Sequence, residues 1–151
     1  MKLEKNRRET LLLATAAGFA ALLAPRMSLA DEQTVAAEIK KLYADKKMDS
    51  GKIKLDVPEI AENGLVVPLN VDVESPMTDA DYVKAVHIFA DGNPLPGIVT
   101  YRFTPACGKA SASTRMRLAQ TQNIVCVAEM SNGNLHMAKA NIKVTIGGCG
   151  G

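Results

Sequence analysis

Tryptophan is absent from this 151-residue chain, and three Tyr with three Phe bring the aromatic content to only 4%. A sandwich domain of the antibody type, built around a buried Trp, is thereby excluded. Histidine occurs twice, as His87 and His136, far apart and without ligand spacing, so no metal site is expected even with Met137 nearby. No Ser-His-Asp set, paired-carboxylate site or phosphate-cradling loop stands out, and no catalytic residue is assigned. No apolar run reaches the ~20 residues that span a bilayer. The formal charge of the whole chain is only +2. None of these shortages prevents folding, but together they point away from a self-contained enzyme, a nucleic-acid binder or a membrane protein.

What is present begins with a leader. Residues 1–30 have a basic start, an apolar stretch from Thr10 to Ala24 and a small-x-small site at Ser28-Leu29-Ala30, the three parts of a bacterial export signal. Asn6-Arg7-Arg8-Glu9-Thr10-Leu11-Leu12 resembles a twin-arginine signal, with Thr10 where Phe or Leu is usual. Periplasmic localisation is expected. Removing the leader takes five of 18 bases and two of 16 acids, leaving 13 and 14. The basic excess therefore belongs to the leader, and no basic patch argues for nucleic acid.

Residues 31–146 read as one domain. Val35, Ala36, Ile39, Leu42 and Tyr43 recur at helical spacing, and Asp31 and Glu32 suit the N-terminal end of a helix, which predicts a helix over 31–47. From Lys52 the period becomes two. Strands are predicted over 52–58, 65–74, 82–90, 98–103, 111–118, 123–130 and 135–146, with Asn63-Gly64 as a turn between the first two. Pro58 and Pro68 mark edge strands or interruptions. Met116 and Met130 are expected in the core, and Arg115 and Arg117 on a solvated face. The fold class is all-β: an immunoglobulin-like antiparallel β-sandwich with an N-terminal helix.

Three cysteines in an exported chain leave one over. Cys107 and Cys126 either form a bridge, or Cys126 is a small core residue on an apolar strand; the sequence leaves both open. Cys149 stands between two diglycines in Gly147-Gly148-Cys149-Gly150-Gly151. Glycine loses the most backbone entropy on ordering, so residues 147–151 are expected to form a mobile arm. Fully extended, three such residues would carry Cys149 roughly 10 Å from the last strand. Rival readings are a stray thiol that pairs between molecules, a prenylation site and a C-terminal thiocarboxylate. Prenylation needs the cysteine fourth from the end, and the thiocarboxylate needs cytoplasmic activation.

Thr114-Arg115-Met116-Arg117-Leu118-Ala119, Val127-Ala128-Glu129-Met130-Ser131-Asn132-Gly133 and Val144-Thr145-Ile146-Gly147-Gly148-Cys149-Gly150-Gly151 resemble the SoxY family of sulfur carriers. The resemblance implies covalent attachment of thiosulfate-derived sulfur to Cys149, as a thiosulfonate and then a persulfide. It implies no cofactor on the chain itself. The implied partners are a SoxZ-like β-sandwich subunit in a heterodimer, a c-type cytochrome, a sulfate-releasing hydrolase and a sulfur dehydrogenase. It assigns no role to Cys107 or Cys126. The reading of another class is an exported immunoglobulin-like binding module with an incidental terminal thiol.

Overall fold

A computed structural model describes residues 29–148. Asp31 has extended backbone, and its carboxylate accepts hydrogen bonds from the Thr34 N–H and hydroxyl at 2.7 Å each. These bonds hold the carboxyl below the usual carboxylate range and cap the first turn of helix α1, Glu32–Tyr43. The helix stops four residues before Lys47 because Ala44 takes a positive φ of 54° and returns its N–H to the Lys40 carbonyl at 2.8 Å. Lys40 and Lys41 lie in the last turn, at the negative end of the helix dipole.

The buried stripe of α1 is narrower than its periodicity suggests. Val35 and Ile39 are buried and Tyr43 partly so, whereas Ala36 is exposed and Leu42 is 50% exposed. A helix lying on a flat sheet buries one line of side chains four apart, and Leu42 falls beside that line. The stripe packs on Phe89, Val125 and Val127, with Met48 and Met137 alongside. Burying two aliphatic side chains of this size contributes about 3–6 kcal/mol as an upper bound.

Among the described residues nine strands follow: β1 (Met48–Asp49), β2 (Ile53–Asp56), β3 (Ile60–Asn63), β4 (Val67–Val73), β5 (Val83–Ala90), β6 (Gly97–Arg102), β7 (Ala110–Met116), β8 (Gln122–Met130) and β9 (Leu135–Ile146). A 3-10 turn at Pro105–Cys107 separates β6 from β7. One sheet is β2-β4-β7; the other has the order β9-β8-β5-β6, and all these pairs are antiparallel. The predicted antiparallel sandwich is thus present. Its exception is the outer edge of β9, where β1 and β3 both pair in parallel, Met48 opposite Leu135 and Ile60 opposite Lys143.

Strand β3 was not expected from the sequence. It lies between β2 and β4 in the chain, yet pairs in the opposite sheet. The predicted pairing of the 52–58 and 65–74 segments is real, Ile53 opposite Val73 through Asp56 opposite Asn70, but Asn63-Gly64 joins β3 to β4 across the sandwich. Pro68 sits in the middle strand of its sheet, opposite Arg115 of β7. It is tolerated because β2 ends opposite Asn70, leaving β4 with one neighbour at that point.

The main core lies between the sheets. Val67, Leu69, Val71 and Val73 of β4 face Val86 and Ile88 of β5, Ile124, Cys126, Ala128 and Met130 of β8, and Ile142 of β9. Met116 and Met130 are core residues, while Arg115 and Arg117 are exposed. Strands β5 and β8 lose their alternation of buried and exposed positions because α1 covers their second face. Among the described residues no helix is long and apolar enough to cross a membrane.

Candidate functional site

The chain leaves the sandwich at the end of β9, and three backbone hydrogen bonds hold it there. The Gly64 N–H donates to the Ile146 carbonyl at 2.7 Å, and the Leu118 N–H to the Gly64 carbonyl at 2.8 Å. The Gly148 N–H in turn donates to the Leu118 carbonyl at 2.8 Å. Residues 147–148 therefore run in a slot between the β3–β4 turn and the β7–β8 loop. No side chain fits in this slot. A Cβ on Gly147 would fall on the Ala119 carbonyl oxygen, and one on Gly148 on the backbone of Gly64 and Leu65. A Cβ on Gly64 would fall on the Leu118 carbonyl oxygen and come within 2.8 Å of the Gly148 nitrogen.

Of the arm expected over 147–151 the structure describes two residues: Gly147 is exposed, and Gly148 is half-buried with its N–H bonded to the Leu118 carbonyl. Gly64 does lie in a turn, but not with a positive φ, which among the described glycines occurs at Gly51, Gly108 and Gly133. Its missing side chain is required by close approach of two other segments. Leu65 and Ile146, 46% and 66% exposed, flank the slot with apolar surface. Cys149, Gly150 and Gly151 lie outside the described residues, as does most of the leader.

The loop that forms one wall of the slot is itself fixed by buried amides. Asn93 Nδ2 donates to the Arg117 carbonyl at 2.9 Å, and its Oδ1 accepts from the Ala119 N–H at 3.0 Å and from Gln122 Nε2 at 2.9 Å. Gln122 Oε1 accepts from the Gly92 N–H at 2.8 Å. Thr121 Oγ1 accepts from the Val144 N–H at 3.0 Å, tying the same loop to β9. Sequence reasoning missed Gly64, Asn93, Leu118, Ala119 and Gln122. Only the glycine at position 64 carries a local signal, and that signal reads as a turn.

The other candidate residues are scattered. Cys107 and Cys126 are free thiols, so the bridge left open by the sequence does not form. The physical reason is placement. Cys126 points into the core from β8 with no exposed surface, while Cys107 is exposed on the 3-10 turn. Burial pushes the Cys126 thiol up to about 12, making it inert. Hydrogen bonds from Thr104, its backbone first and its hydroxyl second, hold Cys107 below its ordinary value.

His87 and His136 belong to opposite faces of the larger sheet. His87 pairs with Val127 under the helix, whereas His136 pairs with Ala128 on the core side. His87 Nδ1 lies 2.9 Å from Thr100 Oγ1, and its ring contacts Tyr43 edge-on. Burial, opposed by the charge of Glu129, keeps this imidazole below its ordinary value. A cavity of about 370 Å³ opens beside it, lined in part by Tyr43, Lys84, Arg102 and Glu129. Burial would raise Glu129, but its 2.7 Å bond to Lys84 and the Tyr43 hydroxyl at 3.3 Å outweigh that and leave the carboxyl below its usual range. Among the described residues no group of three or more His, Cys, Asp or Glu is arranged to hold a metal ion.

Comparison with known proteins assigns the chain. Residues 39–149 match the family model for the sulfur oxidation protein SoxY, so the match takes in both packed glycines and Cys149. The sulfur carrier protein SoxY from Chlorobium limicola f thiosulfatophilum superposes with a TM-score of 0.62 at 31% identity, over 74% of this chain and 96% of that one. Superoxide reductase (neelaredoxin) from Ignicoccus hospitalis superposes with a TM-score of 0.56 at 16% identity, over 77% and 94% of the two chains, a likeness of fold alone. No curated protein matches. With the family model matched over residues 39–149 and the Chlorobium sulfur carrier protein 31% identical over 96% of its length, the chain belongs to the SoxY family of sulfur oxidation carrier proteins.

Proposed function

We propose that Cys149 is the covalent attachment point for thiosulfate-derived sulfur and that this protein carries the adduct between enzymes without transforming it. The family match through residue 149 is the observation that carries this reading. The chemistry of the segment agrees with it. No Lys, Arg or His flanks Cys149 in the sequence. A cysteine without a cationic neighbour is a weak nucleophile, which leaves its activation to a partner.

In the first step the Cys149 thiol and the outer sulfur of thiosulfate form a sulfur–sulfur bond. Two electrons pass to a c-type cytochrome and the thiol proton is released. A hydrolase then cleaves the bond to the sulfonate group. Water supplies the fourth oxygen of the departing sulfate, and the persulfide stays on Cys149. A sulfur dehydrogenase oxidises the remaining outer sulfur further. Haem and metal chemistry belong to these partners, with a SoxZ-like sandwich as the subunit of the heterodimer. Residues 1–30 are read as the export signal that brings the chain to the periplasm, where such partners work.

Cys149→Ser tests the reading. The variant is expected to keep the melting temperature of the parent and to abolish thiosulfate-dependent turnover in the reconstituted system. Intact mass of the parent should show sulfur- or sulfite-sized additions that the variant lacks. Turnover retained by the serine variant overturns the proposal and favours a binding module with an incidental thiol.

A further inference from the structure

We infer that Gly64 and the Leu118–Ala119 backbone are positioning residues for the carrier: they clamp the arm root so that Cys149 starts from a fixed point of the sandwich. The inference rests on the carrier reading above. Its basis is the cyclic set of bonds from Gly64 to Ile146, Leu118 to Gly64 and Gly148 to Leu118, together with three glycines whose Cβ positions are occupied by backbone. Flexibility alone does not account for these features. A tether needs freedom, and freedom tolerates alanine. Here alanine at 64, 147 or 148 collides with main chain, which cannot swing aside as a side chain can.

The wall opposite Gly64 is also not free to yield. Asn93 holds both the Arg117 carbonyl and the Ala119 N–H, and buried Gln122 holds Asn93. These amides lie on β8 and the β5–β6 loop, so the clamp is referenced to the larger sheet. Consecutive Cα atoms are about 3.8 Å apart, which places the Cys149 Cα within that distance of the last clamped residue. An unclamped arm would add the reach of three extended residues, roughly 10 Å. A clamped root starts the arm from one point of the sandwich, and positional restriction of this kind raises the rate of an encounter between two reacting groups.

The test uses Gly64→Ala and, acting from the other wall, Gly147→Ala, in the full chain carrying Cys107→Ser so that Cys149 is the accessible thiol. Hydrogen exchange at the Gly148 and Leu118 amides reads the clamp, with the β5 and β8 amides as the internal control. Loading of thiosulfate onto Cys149 by the cytochrome partner reads positioning. Alkylation of Cys149 by iodoacetamide reads intrinsic reactivity. The expected result is lost protection at Gly148 and Leu118, unchanged protection in β5 and β8, loading slowed by roughly tenfold or more, and alkylation not slowed. A merely structural defect would also move the core amides.

Two outcomes overturn the inference. One is Gly148 protection that survives in both variants. The other is protection lost while loading holds its parental rate. Failure of the carrier reading looks different: the parent itself then acquires no sulfur on Cys149, while the exchange data still report whether the clamp exists.

Discussion

The residues that matter most here act through what they lack. Gly147 and Gly148 are thin enough to pass between two loops, and Gly64 is thin enough to let them. His87 shows the opposite case, a side chain whose surroundings control its charge. Burial holds its imidazole below the ordinary value of about 6.5, against the pull of Glu129. As pH falls through about 6.5 the unfolded chain takes up a proton that the folded chain resists, so stability drops. Above that pH the contribution is fully present. The depressed carboxyl of Glu129 adds a second loss at lower pH, below its ordinary value of 4.5. The melting temperature is therefore expected to decline between pH 7.5 and 5.5, with a shallower decline in His87→Gln. Equal slopes in parent and variant would assign the effect elsewhere.

At the scale of elements, α1 is an attachment to the sandwich rather than part of its core. It contributes Val35 and Ile39 to a separate small cluster on the far side of the larger sheet. Ile39→Ala removes one of the two buried anchors and is expected to cost about 2–4 kcal/mol, measured as a lower urea midpoint at unchanged slope. The helix was readable from sequence because its cap and its apolar spacing are local. The long strands were readable for the same reason, and the continuous apolar runs in β5 and β8 record their burial on both faces. Strands β1 and β3 were not readable. Two and four residues long, they are strands only because β9 offers them a free edge to pair with.

For the whole molecule, the slot extends the hydrogen-bonded backbone beyond Ile146 as far as Gly148. Truncation tests what that extension contributes. Removing residues 149–151 is expected to leave the melting temperature unchanged, since both packed glycines and the Leu118 bond remain. Removing residues 147–151 should lower it and speed exchange at Leu118 and Gly64, because the slot is left empty between two carbonyl-bearing loops. Equal melting of the two truncations would show that it contributes nothing to stability.

Sequence by itself determined the β-sandwich class, the helix that precedes the strands, the membership of Met116 and Met130 in the core, and the singling out of Cys149. Each depends on local period, local turn chemistry or a rare local motif, and such information survives in a one-dimensional string. Tertiary structure decided that Cys107 and Cys126 stay apart, that β3 crosses to the other sheet, and that Gly64 shares one slot with Gly147 and Gly148, 83 and 84 positions further along the chain. Those outcomes depend on which backbones come within van der Waals contact across the fold. A glycine needed for thinness and a glycine needed for freedom are the same letter, and only the neighbouring carbonyl tells them apart.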